Sequence, residues 1–452
     1  MFDYIPLSLA AFLVYLIAFM LFTELLHNTG LGMLAALVVL CLFTGDGFGA
    51  VLVQSIQYGS TRTPLFAALA FTFTSVIMNQ TGIIKKLVNI LNSLVGRTRG
   101  GSAYTSLAGC AVFGTFSGSA TSAAALVGAI TIPWMQEDGW PNYMAAAVNT
   151  GNSALGMAIP PSTSMFLLLG LPVVNAVVDE GSLYVGLMCG GLWFVLYRAI
   201  LIFFFTRRYH IEAYSKKRIM PFRKAFQEGK SSLFIFAAIL FPLLLTMGPL
   251  SEWLKSNPSI GAEGVGAIDI IIWIPVFVSV VVIIEGHKRL PKTPKGWIDL
   301  MYNSRDKFAT VGGPFIFSYS ASYVLEYLGL GEDVSSFLTS LNLPGVLVTI
   351  AIGCFLALVV GPLNSTATVT ALGSVSFTAL VAAGIEPVHA CVMILLLCAT
   401  EGAIPPGSVP CYVSCGIANT DVKKPFSVLM KYYGVPCVII AILIGFGMIP
   451  IL

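Results

Sequence analysis

Ten stretches of about twenty apolar residues recur along this chain of 452, and lipid is the solvent that accommodates them. They fall near 5–27, 31–52, 64–80, 142–178, 183–206, 231–250, 266–285, 308–328, 387–415 and 431–450. With 57% hydrophobic and only 10% charged side chains, no single water-soluble core would hide them. An average soluble domain carries roughly 25% charge. Inside a bilayer each backbone N–H and C=O must be bonded within the protein, so segments of this length become helices. Two more apolar stretches, 103–135 and 345–382, have polar breaks at their middles. Each half of the first, about fifteen residues, reaches roughly 22 Å against a core of about 30 Å. Such halves are expected to enter and return as re-entrant hairpins. The expectation is an all-α polytopic membrane protein of ten spans and two hairpins.

Charge placement agrees. If Lys85, Lys86, Arg97 and Arg99 face the cytoplasm, parity puts loops 207–230, 286–307 and 419–431 there too, and 21 of the 24 Lys and Arg lie on that side. Both termini are then expected to be periplasmic. The opening MFDYIPLSLAAF has an acid and no basic region, so it reads as a first span and not as a cleaved signal. A net charge of +3 leaves no nucleic-acid footprint. The nine cysteines lack metal-ligand spacing, and Cys411 and Cys415, four apart, read as packing residues. The segment IIKKLVNILNSLVGRTRG at 83–100 alternates apolar and basic positions, as an amphipathic interfacial arm does, with a counterpart at 330–342.

An internal repeat is visible. Ala158-Ile159-Pro160-Pro161 recurs as Ala403-Ile404-Pro405-Pro406, an offset of 245 that also pairs Gly100 with Gly345 and Thr121 with Thr366. The same offset sets Ser117-Gly118-Ser119 opposite Pro362-Leu363-Asn364. Three spans separate the copies, so the second is expected to be inverted. One proline in a membrane helix means little, but two adjacent ones remove two donors and cost roughly 3 kcal/mol or more each in a helix interior. Inverted repeats with a discontinuous helix in each half point to a secondary transporter.

Irregular backbone at membrane depth is tolerated where it is buried in protein or lines a polar cavity, which places a binding site at the hairpin tips and the two breaks. Thr121, Ser122, Asn152 and Ser162 in one copy, and Ser365, Thr366 and Ser408 in the other, are the candidate substrate contacts. Hydroxyls, amides and unwound carbonyls are hard ligands suited to Na⁺. No Arg or Lys occurs in either hairpin or broken helix, so an anionic substrate would be met by helix dipoles and bound cations. Glu401 stands apart: a carboxylate deep in a membrane helix costs about 2.5–3.5 kcal/mol and is a functional candidate by default. Its readings are a sodium ligand, a proton-coupling group, or a neutral group bonded to the broken backbone.

The runs FGTFSGSATSAAALVGAITIPWMQEDGWPNYMAAAVNTGNSALGMAIPPS and GIEPVHACVMILLLCATEGAIPPG resemble the large membrane subunit of TRAP (tripartite ATP-independent periplasmic) transporters, over about 60–450. The resemblance implies an elevator-type importer of the ion-transporter superfamily in the bacterial inner membrane. A sodium gradient would drive it, and a periplasmic binding protein would deliver a small organic acid such as a C4-dicarboxylate or sialic acid. A small four-helix membrane subunit would complete the complex as a separate chain. Scaffold segments would be 1–80, 179–328 and 419–452, arms 81–102 and 329–344, and transport-domain halves 103–178 and 345–418. Carried over, Ser117, Gly118, Ser119, Pro160 and Pro161 would form one sodium site, and Asn364, Thr400, Gly402, Pro405 and Pro406 its partner, with Glu401 beside it. The family usually has Asp where this chain has Asn364, and Gly where Glu401 stands, which suggests a relocated carboxylate. A proline of the family's second hairpin is missing near Ser374-Val375.

The alternative is a symporter of similar fold working without a binding protein, proton-coupled through Glu401. A channel is disfavoured by the full inverted repeat. An enzyme is disfavoured because the four histidines sit near span ends and no catalytic constellation accompanies them.

Overall fold

The computed structural model describes residues 6–212, 219–340, 343–404 and 408–451, with backbone alone at 116–117, 338–339 and 361–364. Among the described residues the secondary structure is helical, with no strand. Six helices are long and apolar enough to cross a bilayer, or seven if the bent pair Thr63–Thr81 and Ile83–Val95 counts as one span. Length alone does not recover ten, because Ile270–Gly286 has only 17 residues and each broken helix begins with a piece of 12. The second span runs on to Ser60, with Gly45 at φ 62° in a tight stretch at 42–47.

Burial is arranged for lipid. The outer helices expose large apolar side chains: Ile17, Leu25 and Ile284 are each about two-thirds exposed. From Met144 to Leu171, by contrast, every residue but Ile159 is buried. The polar, proline-broken segments thus occupy the centre, where their unpaired backbone groups meet protein and not hydrocarbon.

The first hairpin pairs Gly101–Ser117 with Ala120–Glu137. At 17 and 18 residues its arms are longer than the sequence suggests, about 25–27 Å, yet still short of a crossing. Gly118 at φ 59° makes the turn, and the Ser119 side chain caps the returning helix by accepting from Ser122 N at 3.2 Å. The Ser102 hydroxyl donates to Asp138 Oδ2 and closes the base. The second hairpin is helical throughout Gly345–Ala382, 38 residues. A straight helix of that length would span about 57 Å. A Cβ at Gly345 would nevertheless lie 2.3 Å from the Ala383 carbonyl oxygen, so its ends meet and the chain reverses between them.

The arm Ile83–Val95 leaves the preceding span at a 75° bend. Gly82, at φ 71°, makes that bend, and Arg289 Nη1 donates to the freed Thr81 carbonyl at 2.7 Å. Lys86 at 2.6 Å from Glu285 ties the arm to the neighbouring span. The second arm is Leu330–Ser340.

The 245-residue offset holds in three dimensions. Asn142–Ser153 and Pro387–Cys398 share their bounds under it. Gly139 and Gly384 turn at φ 90° and 92°. Ile159 (φ −120°, ψ 121°) and Ile404 (φ −115°, ψ 113°) leave the helix in the same extended conformation.

Candidate functional site

Each hairpin tip docks on the break in its own broken helix. In the first copy the contact is backbone on backbone: a Cβ at Gly156 would fall 1.9 Å from the Gly114 carbonyl carbon, and one at Gly118 would fall 2.1 Å from Thr163 Oγ1. In the second copy Glu401 stands where Gly156 does. Its carboxylate accepts from Ser365 N at 3.0 Å and from the Ser365 hydroxyl, which also lies 2.8 Å from the Cys398 carbonyl. Ser365 directly follows Asn364, so a carboxylate is delivered to the second tip from the facing helix. Glu401 is only 6% exposed, and these bonds to a turn of backbone are what make its burial tolerable.

The breaks are closed by hydroxyls. Ser162 donates to Met157 O at 3.2 Å and accepts from Met165 N, while Ser408 donates to Gly402 O at 2.8 Å. Met157 and Gly402 are partners under the offset, so both copies satisfy the same carbonyl freed by the prolines. Thr400 bonds one turn back, to Leu397 O at 2.6 Å. Ser162, Thr400 and Ser408 thus support the broken backbone. Thr121, Ser122 and Thr366 lie half-buried on the first turns of the returning arms. Pro405 and Pro406 lie outside the described residues, as do the side chains of Ser117 and Asn364.

The two copies interlock at the centre. A Cβ at Gly402 would lie 2.8 Å from Thr150 O, so the second break rests on the first broken helix. Asn149 donates to Ala124 O at 3.0 Å and to Ser414 Oγ at 2.9 Å and accepts from Ser106, joining hairpin 1 to both broken helices. Gln136, at the base of hairpin 1, donates to Ala418 O at the far end of broken helix 2. At the other end the outer arm of hairpin 2 packs on broken helix 1, with Gly373 against Leu168 and Leu171. The hairpins therefore enter from opposite ends, and each tip stops at the break of its own broken helix.

Asn152 differs from its neighbours. It is fully buried, and among the described residues neither its Oδ1 nor its Nδ2 has a partner. Ser164 Oγ on broken helix 1 and Thr370 Oγ1 on hairpin 2, two elements that pack together, are likewise buried and without a partner among the described residues. Unmet donors and acceptors on broken helix 1 and hairpin 2 are what a polar ligand would satisfy. Sequence reasoning passed over Ser164 and Thr370, whose only signal is a hydroxyl one turn beyond a recognised break or tip. It also counted Arg198 merely as a charge. Arg198, on the helix Glu180–Arg208, is 1% exposed and lies over the rings of Phe194 and Tyr433; it hydrogen-bonds Cys437, while its Nε and Nη1 have no partner among the described residues. Tyr433 in turn packs flat on Gly151. Beside the first break a groove of about 610 Å³ runs between Pro160, hairpin 1 and the helices of Tyr184 and Leu240. Its walls are almost wholly apolar, and Ile159 and Pro160 of the first break form part of them.

Among the described residues no cluster of His, Cys, Asp and Glu is arranged to hold a transition metal, and Cys411 and Cys415 sit 3.8 Å apart as free, buried thiols. The cation chemistry open to the site is that of oxygen ligands: hydroxyls, amides and the carbonyls of Ile159 and Ile404 where the helices unwind.

An all-helical membrane protein with two hairpins and two broken helices meeting at its centre has the build of a transport protein, not an enzyme. The profile described as "Tripartite ATP-independent periplasmic transporter, DctM component" matches residues 12–452, and the chain belongs to that family. It is 23% identical over 89% of its length to the isethionate TRAP transporter permease protein DctMQ of Oleidesulfovibrio alaskensis, covering 59% of it. It is 22% identical to the C4-dicarboxylate TRAP transporter large permease protein DctM of Rhodobacter capsulatus, covering 81% of each chain. A third relative is the sialic acid TRAP transporter permease protein SiaT of Haemophilus influenzae, 28% identical over 44% of this chain and 30% of that one. The chain spans about half the length of the first curated relatives it matches. Among solved structures it resembles the YdaH transporter of Alcanivorax borkumensis, with TM-score 0.67, 16% identity and 89% of each chain covered. It also resembles MtrF of Neisseria gonorrhoeae, with TM-score 0.67, 14% identity and 90% and 85% covered. At such identity the likeness speaks for fold alone.

Proposed function

We propose that the chain is the membrane-spanning carrier of a sodium-coupled importer for a small organic acid. A periplasmic binding protein delivers the acid, and a small four-helix membrane subunit assembles with the carrier. The observation that carries this reading is the docking of two hairpin tips, inserted from opposite ends, on two proline breaks that obey one 245-residue offset. That arrangement suits alternating access, because a symmetric centre reached from either end can open to one side at a time. In the elevator version both hairpins and broken helices move together against the outer helices, around ten spans with both termini periplasmic.

Family membership supports the partners, and relatives named for isethionate, C4-dicarboxylate and sialic acid support an organic anion. Sodium is favoured by the donor set: carbonyls at each break with hydroxyls nearby, and one carboxylate, Glu401, held at the second tip. The substrate would lie between the tips, against Asn152. The test is uptake into proteoliposomes holding the carrier and its small subunit, with binding protein and labelled acid outside. An inward sodium gradient should drive accumulation, and replacing sodium by potassium should abolish it. Uptake without the binding protein, driven by a pH gradient alone, would overturn the proposal.

A further inference from the structure

The basic loops offer one built pocket. A groove of about 730 Å³ opens where the helix Glu180–Arg208 ends and hairpin 1 begins, and it is lined by Arg99, Phe203, Thr206, Arg207 and His210, with Glu212 the one acid among its lining residues. Volumes of about 300–1,000 Å³ are typical of ligand sites. Neither Arg99 nor Arg207 forms an ion pair among the described residues. Arg207 instead lies over the Phe203 ring at 4.3 Å. Phe203 is 51% exposed and its neighbour Phe204 47%, so one wall of the groove continues onto the lipid-facing side of a spanning helix. The two arginines come from different elements. Arg99 precedes hairpin 1, and Gly100 packs so closely that a Cβ there would lie 2.2 Å from Thr206 Cγ2. Tyr143 and Tyr209 hydrogen-bond across the same seam at 3.2 Å.

We propose that this groove binds the phosphate of an anionic phospholipid. The shared chemistry is a phosphate between two guanidinium groups from different elements. The aromatic wall that runs out to the acyl-chain region selects a membrane lipid over free phosphate. Basic pockets at the ends of spanning helices recognise headgroups in this way. The lipid bridges the start of hairpin 1 and the end of the helix Glu180–Arg208, and it stiffens that seam.

The test is native mass spectrometry and thermal unfolding of the delipidated protein, offered phosphatidylglycerol, phosphatidylcholine or inorganic phosphate at matched ionic strength. Phosphatidylglycerol should be retained as a single tight adduct and raise the unfolding temperature, and phosphatidylcholine should do neither. Arg99→Gln with Arg207→Gln should weaken retention about 30-fold, two basic groups near a membrane surface each contributing a few-fold. Lys288→Gln with Lys292→Gln removes the same charge elsewhere and should leave retention intact. Glu212→Gln, which needs no loss of a basic group, should tighten it. Equal loss in both double variants would show a net-charge effect and overturn the site. Stabilisation by inorganic phosphate equal to that by phosphatidylglycerol would overturn the lipid assignment. Either result leaves the transport proposal standing.

Discussion

Asn152 and Glu401 are both buried polar side chains, and they meet burial in opposite ways. Asn152 has two atoms without a partner among the described residues, whereas Glu401 accepts two bonds from Ser365. Replacing an unsatisfied buried amide by an apolar group of similar shape removes a desolvation cost. Asn152→Leu should therefore leave the unfolding temperature unchanged or higher while abolishing transport. A stable variant with wild-type uptake would remove Asn152 from the site. Glu401→Ala should lower stability by about 1–3 kcal/mol, since it orphans the buried Ser365 N–H. Glu401→Gln, which keeps an acceptor, should recover most of that in a denaturation series. Wild-type stability of Glu401→Ala would contradict the latch. The sequence singles out both residues as polar in an apolar run, but not which is bonded, because the partner of Glu401 lies 36 positions away across a hairpin turn.

The hairpins, as elements, are legible from length and a polar tip, and the breaks from two adjacent prolines. Their close fit is not, because it depends on which glycines face each other. Gly156→Ala would drive a Cβ into the Gly114 backbone, and overpacking of this kind costs about 1–3 kcal/mol. Thermal unfolding of the variant should show that loss, and an unchanged midpoint would mean that hairpin 1 does not rest on the break. At the base of hairpin 1, burial pushes the Asp138 carboxyl from 3.8 up to about 6, although the Ser102 hydroxyl pulls it down. The folded state thus holds the proton more tightly than the unfolded one. The stabilisation linked to that proton is complete below about pH 4 and is lost as pH rises through 6. Asp138→Asn should flatten that part of the stability–pH profile, and an unaltered slope would assign it to other groups. Repeat symmetry gives no warning of this, since Ala383 holds the equivalent position.

The chain turns large apolar side chains of its outer helices outward and buries its proline-broken segments, the arrangement lipid demands. The offset of 245, read first from two tetrapeptides, reappears in helix bounds and backbone angles, so the architecture is carried by the repeat. Arg198 and the Asn149 network escape a linear reading because each joins elements distant in sequence. At this scale the proposal is that the tips and breaks form sodium sites. Thermal unfolding of the purified protein in NaCl, KCl and choline chloride at matched ionic strength tests it most directly, needing neither substrate nor partner. A ligand of the folded state stabilises by RT ln(1 + [L]/Kd), about 2.7 kcal/mol at a hundredfold excess over Kd. The unfolding temperature should rise in sodium alone, saturating with concentration, and Glu401→Gln should reduce the rise. Equal midpoints in the three salts would contradict it.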